Sequence, residues 1–549
     1  MKSAPTKKLL PALLIFLLSP SLLLADTYPK NPKVDILNYV FRIELFDNTD
    51  AIQVEATVDV RYPGEGVNFL RLDLVKTSAA LSNKGMTVNS VISEGKALSF
   101  MHEGGELKIQ LPIASQRNQR TTYMIVYSGL PATGLKIANN KYGDRTFFSD
   151  NWPDKGRNWL PMVDHPYDKA TCEFIVTAPA HYQVVSNGVK IEETDLANGK
   201  RITHWKQSVP IASWLYVLGV ARFAVQHVDQ FDHKSIETWV YHQDRDAGFH
   251  DFAEPTKQVL EFYSNYVGPF AYERLANIQS NSVSGGMEAA SAILYSENSV
   301  VGDRNERWRN VVIHEIAHQW FGNAVTEYDW NDVWLSEGFA TYFTLLFIEH
   351  AYGHDAFMEG LADSKKRVDA FHTKNPNYRI VHDNLQDMDQ VTSSHTYQKG
   401  SWILHMLRGV VGTDNFWEGI RSYYNKYMNS NATTSDFRRE MEEASGMDLK
   451  DFFEQWLYKP GALQYSGSWQ YDDKKKEVRI TIDQVQTDGS MFKMPVQVAI
   501  HSADGKPLIK TLHVNEKKNE FTIPVGFPPQ NIVLDPDHWL LMEAKWVKK

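Results

Sequence analysis

His314, Glu315 and His318, followed at a distance by Glu337, are the residues of this chain best suited to chemistry. Two imidazoles and a carboxylate are ligands that zinc prefers, and three protein ligands leave a fourth position free for water. Residues four apart on an α-helix share one face, so His314 and His318 can aim at one ion. Glu315 is rotated by about 100° from His314, which sets it beside the metal within reach of water there. An open coordination position distinguishes a catalytic zinc from a structural one and implies hydrolysis.

These residues need two helices and a reversal. Asn305 to Trp320 is rich in helix formers, with Val311, Val312, Ile313, Ile316 and Ala317 giving it apolar faces, and Gly322-Asn323 supplies a stop. Asp329, Asn331 or Asp332 is expected to cap a second helix running to about His350, so that a turn between the helices returns Glu337 to the ion.

The rest of the chain divides by pattern. From Tyr39 to Phe223 short alternating or β-branched runs separated by turn formers predict an antiparallel sandwich or saddle. Glu254–Tyr266 has helical spacing, and helices dominate from Asn305 to Tyr458. Lys459-Pro460-Gly461 breaks the pattern. Six strand-like runs follow, from Ser466–Tyr471 to Asn531–Leu534, and predict a small β-sandwich. Lys474-Lys475-Lys476 reads as a solvated hairpin turn. The expected organisation is an export signal at 1–25, a β domain at 26–223, a mostly helical domain at 224–460 and a β-sandwich at 461–549.

The first 25 residues carry Lys2, Lys7 and Lys8, then an apolar run from Leu9 to Leu24, then Ala25, as an export signal does. Its removal would take the formal charge from −10 to −13. An acidic chain argues against nucleic acid as a partner. No other long apolar stretch exists, so no stable membrane insertion is expected once the signal is gone. Cys172 is the only cysteine and sits in a strand-like run, where it reads as a small buried hydrophobe. An exported chain without a disulfide suits a bacterial periplasm or exterior.

Four segments together carry a resemblance: His314 to Asn323 with Trp334 to Ala340; Gly285-Gly286-Met287-Glu288; Tyr397-Gln398-Lys399-Gly400; and Arg157 to Pro161 with Asp164-His165-Pro166. The chain resembles the zinc aminopeptidases of the aminopeptidase N type, in the short form without a C-terminal helical solenoid. That family also includes a leukotriene-processing epoxide hydrolase. The resemblance implies a multidomain α+β fold: an N-terminal β saddle, a thermolysin-like zinc peptidase domain and a small C-terminal β-sandwich.

It also implies roles. One zinc per chain would be held by His314, His318 and Glu337. Glu315 would be general base and acid, and Tyr397 would donate to the oxyanion, with His395 as its local rival. Glu288, in the exopeptidase signature with Gly285, Gly286 and Met287, would hold the free α-amine of a peptide. The glycines permit close main-chain approach, and a carboxylate suits an ammonium. Asp150 falls where the family places an amine-binding side chain, although it could equally be a turn residue. Ala289 departs from the family's asparagine and puts one bracing or positioning contact in doubt. Two readings compete: a thermolysin-like endopeptidase, which needs no amine anchor, and a peptide-binding protein without activity.

Overall fold

The computed structural model describes residues 26–549 apart from 383, 384, 386 and 504; the expected export signal lies outside the described residues. The first β unit follows from alternation. In the strand Ile52–Tyr62, the side chains of Ile52, Val54, Ala56, Val58, Val60 and Tyr62 are all buried while their neighbours lie nearer solvent. This strand belongs to an eight-stranded sheet, accompanied by a three-stranded and a four-stranded sheet. The large sheet is antiparallel except where Asp35–Glu44 runs parallel to Lys169–Pro179. The alternation of neither strand reveals that pairing. A parallel partner needs a long crossover, and here most of the β unit lies between them.

The next sheet is mixed and five-stranded, in the order Phe223–Phe231, Lys234–Tyr241, Arg274–Ser280, Ala292–Ser296, Gly286–Met287. The last is a two-residue edge strand, antiparallel to Ala292–Ser296. Helices cover this unit. The motif helix spans Glu306–His318, capped by Asn305, whose side chain accepts from Arg307 N–H. The carboxylate helix spans Trp334–Tyr352. None of the three expected residues caps it. A 3₁₀ turn at Trp330–Asp332 feeds directly into it, Val333 is its N-cap, and no side chain caps its first turn. The tightened backbone takes up part of what a cap would: Val333 N–H donates to Trp330 C=O at 3.3 Å and Ser336 N–H to Val333 C=O at 3.0 Å.

The C-terminal unit sets a four-stranded sheet against a three-stranded one. Leu463–Asp472 and Glu477–Gln484 form a hairpin, with the lysine run in its turn. A seventh strand, Met542–Lys548, pairs parallel to Leu463–Asp472; its Glu and Lys residues conceal it from pattern reading. Among the described residues no helix is long and apolar enough to cross a membrane.

Candidate metal centre and active site

The motif helix and the carboxylate helix pack together so that three ligand atoms converge. His314 Nε2 and His318 Nε2 are 3.1 Å apart, and Glu337 Oε2 lies 3.5 Å from the first and 3.2 Å from the second. Bonds of about 2.0–2.2 Å to a tetrahedral zinc separate neighbouring ligand atoms by roughly 3.3–3.6 Å; one of the three spacings falls in that range and the other two lie within about 0.2 Å below it. The second nitrogen of His318 fixes its tautomer: Nδ1 lies 3.1 Å from Phe321 C=O and 3.1 Å from Ser336 Oγ. A proton on Nδ1 leaves Nε2 as a lone pair facing the cluster.

Gly322 makes that support possible. It adopts φ +109°, and a Cβ there would fall 2.2 Å from Ser336 Oγ. A side chain would be strained by the backbone and would dislodge the serine.

Electrostatics describe a site short of positive charge. Glu288, Glu315 and His318 form a second convergent group sharing His318 with the first. Burial pushes the Glu315 carboxyl well up, against the pull of His318 and with the charges of Glu288 and Glu337 adding to it. Burial also raises Glu288. Burial opposes a charged His318, yet Glu288 and Glu337 push it up to about 10. Burial likewise opposes the Glu337 carboxylate, but the two histidines hold it down at about 2. A divalent cation held by His314, His318 and Glu337 would balance these buried carboxyls, and the donor set suits zinc.

The remaining expected residues surround an open cleft of about 410 Å³, lined by Gly285, Gly286, Met287, Glu288, Glu337, Tyr397 and Asp150. Tyr397 donates to Glu337 Oε1 at 2.7 Å. It stands in a π-helical turn, His395–Lys399, that continues into the helix Gly400–Val411. The two helices touch at glycine: a Cβ on Gly338 would meet the Gly400 Cα at 3.0 Å. Gly338 adjoins Glu337 and Gly400 follows Tyr397 by three residues, so this contact sets how far the tyrosine turn stands from the carboxylate helix. His395 does not join the cleft; its ring packs against Phe371 and Tyr378.

Glu288 is 5% exposed, and its Oε1 has no partner among the described residues. A buried, unpaired carboxylate oxygen calls for a cation or donor. Its backbone is fixed from the motif helix: Gln319 Nε2 donates to Glu288 C=O at 3.0 Å, Asn323 Nδ2 at 2.6 Å, and Gln319 Oε1 accepts from Ser291 N–H at 3.0 Å. Those two amides stand inside the motif, but only the fold shows what they hold. Gly286 has a further role. A Cβ there would sit 2.2 Å from Glu315 Oε1, so the glycine makes room for the Glu315 carboxylate. Gly285 has open space around it.

Asp150 reaches the cleft from the first β unit, 3.3 Å from Lys155 Nζ. Lys136, Trp152 and Ser282 also line it; Trp152 and Ser282 stand two and three residues from Asp150 and Gly285, but no spacing rule singles them out, and Lys136 comes from a separate strand. Ala289 is fully packed at 1% exposure. The loop it occupies is braced from the first unit: Asn187 Nδ2 donates to Ala290 C=O at 2.7 Å and Gly188 N–H to Ser291 Oγ at 2.8 Å. A third convergent group, Asp26, His165 and Asp329, already holds a cation in Lys30, at 2.9 and 3.2 Å from the two aspartates.

This geometry agrees with comparison to known proteins. Residues 252–456 match the peptidase family M1 domain and residues 37–215 the peptidase M1 N-terminal domain. The chain belongs to peptidase family M1. Similar proteins include "Probable aminopeptidase 1" of Saccharolobus solfataricus, 28% identical over 72% of this chain and 51% of that protein. Glutamyl aminopeptidase of Homo sapiens is 28% identical over 71% of this chain and 42% of that protein. Aminopeptidase A of Gloydius brevicauda is 30% identical over 57% of this chain and 34% of that protein. The matches span about half the length of the first relatives or less. The β, helical, small-β order of the M1 architecture is the one this chain adopts.

Proposed function

We propose that this M1 chain is a zinc-dependent aminopeptidase that hydrolyses the first peptide bond of peptides with a free α-amine. The observation that carries it is the pairing of a three-ligand cluster, His314, His318 and Glu337, with a buried Glu288 carboxylate whose Oε1 is unpartnered among the described residues, on the same cleft. A zinc on the three ligands would supply a Lewis acid and lower the pKa of water at the open position. Glu315 accepts a proton from water and returns it to the leaving amine. Tyr397 O–H donates to the oxyanion as the carbonyl becomes tetrahedral. Glu288, with Asp150 across the cleft, receives the α-ammonium. The edge strand Gly286–Met287 offers main-chain groups to an extended peptide. We also read residues 1–25 as an export signal, with the mature protein periplasmic or extracellular.

The deciding experiment sets free and N-acetylated aminoacyl amides against the purified protein, with and without a zinc chelator. Glu and Asp amides belong in the panel because glutamyl aminopeptidases are among the relatives and Lys136 lines the cleft. Chelator-sensitive release from free-amine substrates alone is expected. Equal cleavage of acetylated substrates would replace the reading with an endopeptidase.

A further inference from the structure

The π-helical turn that carries Tyr397 has a second face. His395 and Lys399, two residues before and two after the tyrosine, line a separate cavity of about 30 Å³. That is the share of liquid volume held by one water molecule. Its apolar walls are Val368 of the helix His354–Lys374, Trp456, and Leu463 and Leu541 of the C-terminal unit.

The groups facing it are basic. Lys399 is 3% exposed. Burial lowers its pKa to about 8, and among the described residues no carboxylate pairs with it. His395 is fully buried, and its ring nitrogens make no well-formed hydrogen bond among the described residues, although the Val368 carbonyl lies close enough to favour its N–H. His372 lines the same space. The two carboxylates at the rim, Asp369 and Glu543, are both engaged by Lys365. A buried ammonium without a counter-charge is costly, and buried polar atoms without partners need an explanation.

We propose that this cavity binds one small monovalent anion, a halide, between Lys399 and His395, directly behind the active-site tyrosine. Lys399 supplies the charge and the His395 N–H a second donor. A volume near that of one water-sized species favours a halide over a bulkier tetrahedral oxyanion. The proposal stands apart from the peptidase reading, since its test needs no substrate.

The test uses the full-length exported protein at constant ionic strength, with sodium gluconate replaced stepwise by sodium chloride or bromide. The expected result is a saturable rise in Tm of about 2 °C or more with either halide, absent in Lys399→Met. Crystals grown in bromide should show an anomalous peak in this cavity within contact of Lys399 Nζ. A wild-type Tm indifferent to halide would overturn the proposal, as would an undiminished response in Lys399→Met. Should that variant fail to fold, the bromide crystal decides alone: density for water without anomalous signal removes the site.

Discussion

At the scale of single residues, the site is a set of atoms whose hydrogen-bonding capacity is unspent. Glu337 Oε1 is used by Tyr397, while its Oε2 faces the histidines. Glu315→Gln should keep the zinc, because Glu315 is outside the ligand set, and should lower kcat by about 10²–10⁴; turnover and metal content measured on one preparation check both halves. Tyr397→Phe removes a donor to the oxyanion and a brace on a ligand. A loss of about 10²–10³ in kcat with about 10–100-fold weaker zinc binding is expected. Normal zinc affinity in that variant would show that the Tyr397–Glu337 bond does not tune the ligand. Glu288→Ala should raise KM for free-amine substrates and leave any residual action on acetylated ones unchanged. The types and spacing of the metal cluster were legible in sequence, because an i, i+4 pair on a helix is a local fact. The partners of His318 Nδ1 were not, since Ser336 arrives from the next helix.

At the scale of elements, glycines decide how closely the site can be assembled. Gly286→Ala would drive a methyl into Glu315, with atoms at 2.2–2.4 Å. Activity should fall by at least tenfold while far-ultraviolet dichroism stays native. Gly400→Ala faces backbone, with the Gly338 Cα at 3.0 Å, so the carboxylate helix and the tyrosine turn must separate. Both kcat and Tm should drop, and an unchanged kcat would show that Tyr397 does not depend on this contact. The turn before the carboxylate helix holds a pH-sensitive group. Burial pushes the Asp332 carboxyl up to about 6, against an ordinary 3.8, and it accepts from Thr434 Oγ1 at 2.6 Å. A folded pKa above the unfolded one favours the protonated form. Its contribution to stability is full below about pH 4 and is lost as pH rises to about 6. Asp332→Asn should raise Tm at pH 8 and leave it nearly unchanged at pH 4. Helix extents were legible from periodicity, as the motif helix shows; the start of the carboxylate helix was not, because a 3₁₀ turn replaces the side-chain cap.

At the scale of the whole molecule, the cleft is shared between units. Arg274 of the central sheet is 2% exposed and pairs with Glu237 at 3.0 Å. It also donates to the carbonyls of Gly188 and Ser186 in the first β unit. Lys169 of the first unit sends Nζ to the carbonyls of Asn323, Ala324 and Ser430 and to Thr326 Oγ1, at 2.9–3.2 Å, which clamps the loop that follows the motif helix. Arg274→Ala would leave Glu237 buried without its cation, a loss of about 3–5 kcal/mol readable by denaturant titration. Asp150 is held across the cleft separately, where Ser282 Oγ donates to Ser149 C=O at 3.1 Å and Lys136 Nζ to Asn281 C=O at 2.6 Å. Asp150→Ala should therefore be the variant that raises KM for free-amine substrates, and an unaltered KM there would remove Asp150 from the amine site.

The sequence alone determined what depends on near neighbours and on residue chemistry. It carried the strand alternation of Ile52–Tyr62, the helix behind His314 and His318, and the zinc-type donor set. Tertiary structure decided what depends on distance in space between residues far apart in the chain. Examples are the parallel pairing of Asp35–Glu44 with Lys169–Pro179, the convergence of Asp150, Glu288 and Tyr397 on one cleft, and the orphaned oxygen of Glu288. The reason is physical. Local periodicity reports which face of an element is apolar, but which partner covers that face, and which polar atom is left unsatisfied by the covering, is settled only when the elements pack.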